Sequence, residues 1–316
     1  MQTENIWPLV SGSNLAASRA YDDAISAVET PRLGEILVQM QKVSRRGLRR
    51  GLRLQEKEPR WFKLPGRARH RVRLGEALLK LRLVKERDIE EALARQFSFP
   101  CLQPGSNTGL SLELVAAYRP FSPEAEAFRS LRSRLLLHWF DEDRRTLAVV
   151  GPGRREGRSF VAANLAVAFA QMRIRTLLVD ADLRRPRQDL VFNLPRHYGL
   201  SGVLGTPRNV NEVSGLPCLG DLHVVGAGAV PPNPLELLSR EPFSKWLSRK
   251  AQQFQLVIID TPAAALCTDT AVISAQSAGA LMVARKDHTR LAEAQDLAEG
   301  LAVGGVPLAG TVLNHY

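Results

Sequence analysis

The sequence predicts an α/β protein: a doubly wound, mostly parallel sheet built around a phosphate-binding loop, preceded by a small, mainly helical domain made of two repeats. Three observations carry this. Thr146–Ala170, TLAVVGPGRREGRSFVAANLAVAFA, passes from an apolar strand through a glycine and arginine loop into an apolar helix. Two later apolar runs, Arg175–Pro186 (RTLLVDADLRRP) and Leu256–Pro262 (LVIIDTP), run into aspartates, where parallel strands place acids beside such a loop. Finally, Arg32–Gln55 and Arg73–Gln96 align without a gap.

Taken in order, residues 1–30 lack periodicity and read as a loosely ordered leader with one short helix around Asp22–Val28. The repeats share Arg, Leu, Gly, Glu and Leu at their start, a valine at the twelfth place, and Leu52/Leu93 and Gln55/Gln96 at their close, so residues 31–100 should form two helical hairpins of one design. Residues 101–117 carry Pro104, Gly105, Asn107 and Gly109 and read as a linker. The second domain, 118–316, opens on Ser122-Pro-Glu-Ala-Glu, a helix start. Strands about Leu222–Val225, Leu256–Asp260, Gly279–Ala284 and Gly310–Leu313 then alternate with helices, one of them opened by Pro231-Pro-Asn-Pro-Leu-Glu-Leu-Leu.

The loop has a definite chemistry. Unpaired N–H groups at a helix start favour an anion, and glycine lets backbone close around phosphate oxygens. Against G-x-x-x-x-G-K-[ST], the chain keeps Gly157 and Ser159 but has Pro152 at the first glycine and Arg158 at the lysine. Asp180, Asp182 and Asp260 supply carboxylates of the kind that hold Mg2+ and its waters.

With 45% hydrophobic and 24% charged residues among 316, the chain has ordinary globular composition and room for two domains. No apolar run is long enough to span a bilayer and the start lacks a signal-peptide pattern, so a cytoplasmic location is expected. The three cysteines, Cys101, Cys218 and Cys267, lack metal-ligand spacing. Between Lys42 and Arg73, thirteen positive residues face two glutamates, which equals the whole net charge of +11. That run fits a solvated face, an anionic nucleotide, acidic lipid or nucleic acid.

The repeats resemble the N-terminal domain of type II secretion and pilus ATPases (the MshEN type), whose paired RLGxxLxxxGxxxxxxLxxxLxxQ motifs bind cyclic di-GMP. The resemblance implies a cyclic di-GMP site at Arg32, Leu33, Gly34, Leu37, Leu48, Leu52 and Gln55, with Arg73, Leu74, Gly75, Leu78, Leu93 and Gln96 in the second repeat. The mid-motif glycine is Gln41 in one repeat and Arg82 in the other, with side chains able to fill a guanine groove, and Ile89 replaces a leucine.

The second domain resembles the bacterial tyrosine kinases of polysaccharide export (the CpsD/CapB and Wzc cytoplasmic-domain family), and most closely their EpsG-type branch. The likeness covers nearly all of 118–316 through Glu126-x-x-Arg129-x-x-Arg132, LLVDADLRRP, PPNPLELL, LVIIDTP and GTVLN. It implies an ATP- and Mg2+-dependent protein-tyrosine kinase. Nucleotide would be cradled by Gly153, Arg154, Arg155, Glu156, Gly157, Arg158, Ser159 and Phe160. Ser159, Asp182 and Asp260 would hold the metal, with Asp180, Arg158 and Asp260 catalytic. Glu126, Arg129 and Arg132 would assemble a homo-oligomer.

The resemblance further implies an inner-membrane polysaccharide chain-length determinant as partner, protein tyrosines as substrates, a peripheral position at the inner membrane through that partner, and no nucleic acid. The family's C-terminal tyrosine cluster is missing, leaving Tyr316, with Tyr118 and Tyr198 elsewhere in the domain. Because arginine is bulkier and planar where lysine is usual, a nucleotide-binding pseudokinase is the alternative. A positioning ATPase of the ParA/MinD class is the third possibility, against which stands Gly153 in place of that class's early lysine.

Overall fold

A computed structural model describes residues 31–57, 73–96, 101–102, 105, 108–195, 199–205 and 212–315. The helix expected around Asp22–Val28 lies outside these residues. The chain divides into two compact units, with the boundary between Cys101 and Leu102.

In the small unit, α1 (Leu33–Gln39) and α2 (Arg45–Lys57) form the first repeat, and α3 (Leu74–Lys80) and α4 (Glu86–Gln96) the second. The repeats fold alike because their caps repeat. The Arg32 N–H donates to Glu35 at 3.2 Å and the Arg73 N–H to Glu76 at 3.3 Å, each satisfying an amide that a helix start leaves unpaired. The Ser44 hydroxyl accepts from the Gly47 N–H at 3.1 Å and caps α2. The hairpins interlock, α1 packing on α4 and α2 on α3, around Ile36, Leu37, Val43, Leu78, Val84 and Ala92. Glycine sets the spacing: a Cβ on Gly34 would stand 2.7 Å from Leu48, and one on Gly51 2.6 Å from Leu78.

The larger unit is a seven-stranded sheet. Its strands are β1 (Thr146–Val150), β2 (Thr176–Asp180), β3 (Ser214–Gly215), β4 (Leu222–Val225), β5 (Leu256–Asp260), β6 (Ala280–Arg285) and β7 (Leu308–Asn314), in the order β3-β4-β2-β5-β1-β6-β7. All pairs are parallel except β3 with β4. β1, β2 and β5 are buried along their whole length, which is why they read as continuous apolar runs without alternation.

The helices are α5 (Val115–Tyr118), α6 (Pro123–His138), α7 (Arg158–Ala170), α8 (Gln188–Val191), α9 (Leu200–Gly205), α10 (Pro234–Ser239), α11 (Glu241–Gln253), α12 (Asp269–Ala275) and α13 (Leu291–Val303). Leu147, Leu178 and Ile258 meet α7 on one face. Leu177, Val179, Val257 and Ile259 meet Phe243, Trp246 and Leu247 of α11 on the other. The expected capped start of α6 is present, with the Ser122 hydroxyl accepting from the Ala125 N–H at 3.2 Å.

One expectation gives way here. The stretch 101–117, read as a linker from its Pro and Gly content, contributes Leu102, Leu110, Leu114, Val115, Ala116 and Ala117 to the core of the larger unit. Asn164 of α7 accepts from the Ala116 N–H at 2.9 Å and donates to the Glu113 carbonyl at 2.9 Å, while Gln171 donates to the Ala116 carbonyl at 2.8 Å. Two buried amides, one on α7 and one at its C-terminal cap, thus bind this backbone as a further layer, a long-range dependence that local composition does not encode.

Candidate functional site

β5 lies between β1 and β2, so the C-terminal ends of three adjacent strands carry the loop and the acids together. Parallel register sets Asp180 directly beside Asp260. Both carboxylates are fully buried. Asp180 accepts from the backbone N–H groups of Asp182 at 3.1 Å, Arg187 at 2.9 Å and Gln188 at 2.8 Å. Asp260 accepts from the Gln188 side-chain amide at 2.7 Å through Oδ2, while its Oδ1 has no hydrogen-bond donor among the described residues. Asp182, half-buried, accepts from the N–H groups of Arg184 at 3.3 Å and Arg185 at 2.9 Å.

Crowding and burial raise all three acids. Burial, with the Asp260 charge next, holds the Asp180 carboxyl well above the usual range. Burial pushes Asp260 up to about 6, against partial relief from Ser159, Gln188 and Arg158. Asp182 is raised by burial more than its backbone hydrogen bonds lower it.

The loop curls where Gly157 takes a left-handed φ of 95° and caps α7. The N–H groups of Gly153, Gly157, Arg158 and Ser159 meet no acceptor among the described residues, the donor array that an anion at a helix N-terminus requires. Arg158 is directed across the loop. Its Nε donates to the Thr261 carbonyl at 3.2 Å, one terminal nitrogen donates to the Gly153 carbonyl, and that nitrogen stands 3.3 Å from the Glu156 carboxylate.

Glu156 itself is buried and accepts from the Thr289 hydroxyl at 2.8 Å. Asn314 donates to the Glu156 carbonyl at 3.0 Å, Arg285 to the Arg155 carbonyl at 3.3 Å, and the His288 ring lies 3.1 Å from the Arg154 carbonyl oxygen. Arg154 and Arg155 are exposed, and Phe160, half-buried, packs edge-on against Phe128. The loop is therefore clamped by the end of β6, the turn after it and the end of β7. Glu156, expected among the residues that cradle nucleotide, has its carboxylate turned to Thr289 and Arg158, and nothing in the sequence signals its burial. Gln188, which links the Ser159 carbonyl to Asp260, carries no signal in the sequence; nor does Arg184, whose fork grips the buried Asp269 at 2.7 and 3.1 Å. Each joins segments distant in the chain.

Arg132, expected to join Glu126 and Arg129 in assembling a homo-oligomer, does not present its charge at the surface of α6. It is buried and donates to the Ala168 carbonyl of α7 at 2.8 Å, because its long stem lies on the apolar side of the helix with Phe128 and Leu135. Arg129 pairs with Glu126 within the chain and also reaches the Pro120 carbonyl. Tyr118 is buried, its hydroxyl donating to the Leu110 carbonyl at 3.0 Å; Tyr198 and Tyr316 lie outside the described residues.

In the small unit, Gly34, Leu37, Gly75 and Leu78 are buried in its core, and Leu33, Leu48 and Leu74 pack against it. Leu93, Gln55 and Gln96 are half-buried, while Arg32, Leu52 and Arg73 are exposed. Gln41 and Arg82 take left-handed φ of 57° and 53°, the conformation that explains a glycine in the motif. Their side chains are exposed.

Fold and loop together define the phosphate-loop α/β class. No family model matches the chain. Tyrosine-protein kinase YwqD of Bacillus subtilis is 30% identical over 67% of this chain and 90% of its own length. EpsB of Ralstonia nicotianae is 34% identical over 64% of this chain, which spans 27% of that relative's length. Among solved structures, the kinase domain of the Escherichia coli tyrosine kinase ETK superposes with a TM-score of 0.62 at 31% identity, covering 64% of this chain and 79% of that one. The chain belongs to the bacterial tyrosine kinase family.

Proposed function

We propose that this chain is an ATP- and Mg2+-dependent protein-tyrosine kinase that regulates exopolysaccharide chain length and export. The observation that carries the reading is the buried Asp260 Oδ1 without a donor, beside Asp180 and close to Ser159. A buried carboxylate oxygen left unpaired is costly, and a cation or its water answers that demand. Among the described residues no three acidic, histidine or cysteine side chains converge as a ready-made cage. Mg2+ in phosphoryl transfer needs none, since one or two carboxylates, waters and the phosphates complete its shell.

Ser159, Asp182 and Asp260 would hold the metal, which when bound neutralises charge on the transferring phosphoryl group. The loop N–H groups orient the phosphates. Asp180, held by three backbone donors and with a raised pKa, is suited to accept the tyrosine proton. The direct test is pure protein with labelled ATP and Mg2+ followed by phosphoamino-acid analysis: phosphotyrosine in the parent and none in Asp180→Asn is expected.

A pseudokinase has its own supporting observation, since the Arg158 guanidinium already answers protein acceptors. Nucleotide binding without phosphotyrosine in the parent would favour it.

The family resemblance supports an inner-membrane polysaccharide chain-length determinant as partner, a peripheral position at that membrane, and a homo-oligomer; the burial of Arg132 leaves Glu126 and Arg129 of the triplet for that role. No described helix is long and apolar enough to cross a membrane. Cyclic di-GMP remains a proposed ligand of the repeats, resting on exposed Arg32 and Arg73 at matching positions. Calorimetry against GTP and linear pGpG, on the parent and on Arg32→Ala with Arg73→Ala, tests it.

A further inference from the structure

The small unit meets the same packing demands twice, yet one of its helices carries a charge that its counterpart lacks. α2 presents Arg45, Arg46, Arg49, Arg50 and Arg53, all exposed. At about 100° per residue these five positions fall within about 140° of arc, one face of the helix. None of the five has an ion pair or a side-chain hydrogen bond among the described residues. The equivalent positions of α4 are Glu86, Arg87, Glu90, Glu91 and Ala94. One scaffold accepts both sets, so folding does not call for the arginines. Like charges a turn apart repel and destabilise the helix, and a face kept at that cost answers to something outside the unit.

We propose that this face of α2 docks on an anionic bilayer surface, its guanidinium groups meeting lipid phosphates. Charge complementarity gives the phosphate; Leu52 gives the bilayer. Leu52 is 40% exposed and lies at the edge of the same face, three residues after Arg49 and seven after Arg45. An apolar side chain there gains by entering the acyl boundary and gains nothing against a duplex backbone. The proposal stands independently of kinase activity.

The test is sedimentation of the full chain with vesicles of phosphatidylcholine containing roughly one third phosphatidylglycerol, against pure phosphatidylcholine. Each arginine near such a surface is worth about fivefold in binding, so replacing four of them, Arg46→Gln, Arg49→Gln, Arg50→Gln and Arg53→Gln, should weaken it by about 100-fold or more. The matching quadruple lysine variant should retain most of the binding, and added salt should abolish that of the parent. Unchanged binding in the glutamine variant, equal loss in the lysine variant, or salt-insensitive binding by the parent would each overturn the proposal. Tighter binding of a short DNA duplex than of anionic vesicles at the same salt would also overturn it, assigning the face to nucleic acid.

Discussion

The loop side of the nucleotide site and its strand side handle charge in opposite ways. Around the loop, charges are answered within the chain: Glu156 takes the Thr289 hydroxyl and faces Arg158, and Arg158 spans to two carbonyls. Along the strand ends, Asp180 and Asp260 lie side by side with Asp182 two residues further on, and no basic side chain donates to any of them among the described residues. The loop is finished as a shape, whereas the acids keep a buried carboxylate oxygen without a donor among the described residues, the demand that the proposed cation would meet. Affinity for the metal is therefore expected to reside in the acids, and Arg158 is expected to act first as a brace.

The largest effect should come from removing the carboxylate whose oxygen lacks a donor. Asp260→Asn is expected to lower phosphoryl transfer by about 100-fold or more and to weaken Mg-ATP binding; calorimetry with Mg-ATP showing parental affinity would break the contrast. Next, Glu156→Gln should cost about 2 kcal/mol of stability, since it removes the charge facing a nearly buried guanidinium. A shifted urea midpoint with an unchanged slope would confirm that the loss is one of stability.

The acids also make a pH prediction. Asp260 titrates at about 6 in the folded chain against a reference of 3.8. A carboxyl raised in this way contributes stability that is whole below the lower value and is lost as pH rises through about 6. Ionised at neutral pH it is a burden that Mg2+, bound as proposed, would relieve. Mg2+ affinity should accordingly fall by about tenfold per unit as pH drops below about 6, and Asp260→Asn should flatten that dependence. The smallest effect belongs to Arg158→Lys. A single ammonium does not reproduce the planar fork, so about 1 kcal/mol of stability should go, with nucleotide affinity moving by less than about tenfold. A larger change in affinity would make Arg158 a phosphate ligand and remove the distinction between the two sides.

Strands were legible because burial on both faces writes them as unbroken apolar runs, LVIID and TLLVD being the clearest. The acids and the glycine turn followed from strand ends and helix start, which are local. What the sequence hid depends on contacts between distant segments. The stretch 101–117 has the composition of a linker and is held by Asn164 and Gln171. Arg132 keeps the spacing of a charged row but sits on the buried side of α6. Gln41 and Arg82 looked like lost glycines, and the backbone they occupy is nonetheless left-handed.

Asn314 has a consequence for synthesis. The carbonyl it holds belongs to Glu156, 158 residues earlier. At about 5–20 residues per second, roughly 8 to 32 s separate the appearance of the loop from that of Asn314. A growing chain that has emerged only through α7 carries the phosphate-binding sequence without its clamp. Thr261, Arg285, His288 and Thr289 reach the loop before β7 is made, so the Asn314 hydrogen bond is the last of its contacts to become available and closes the loop only when the final strand has joined the sheet.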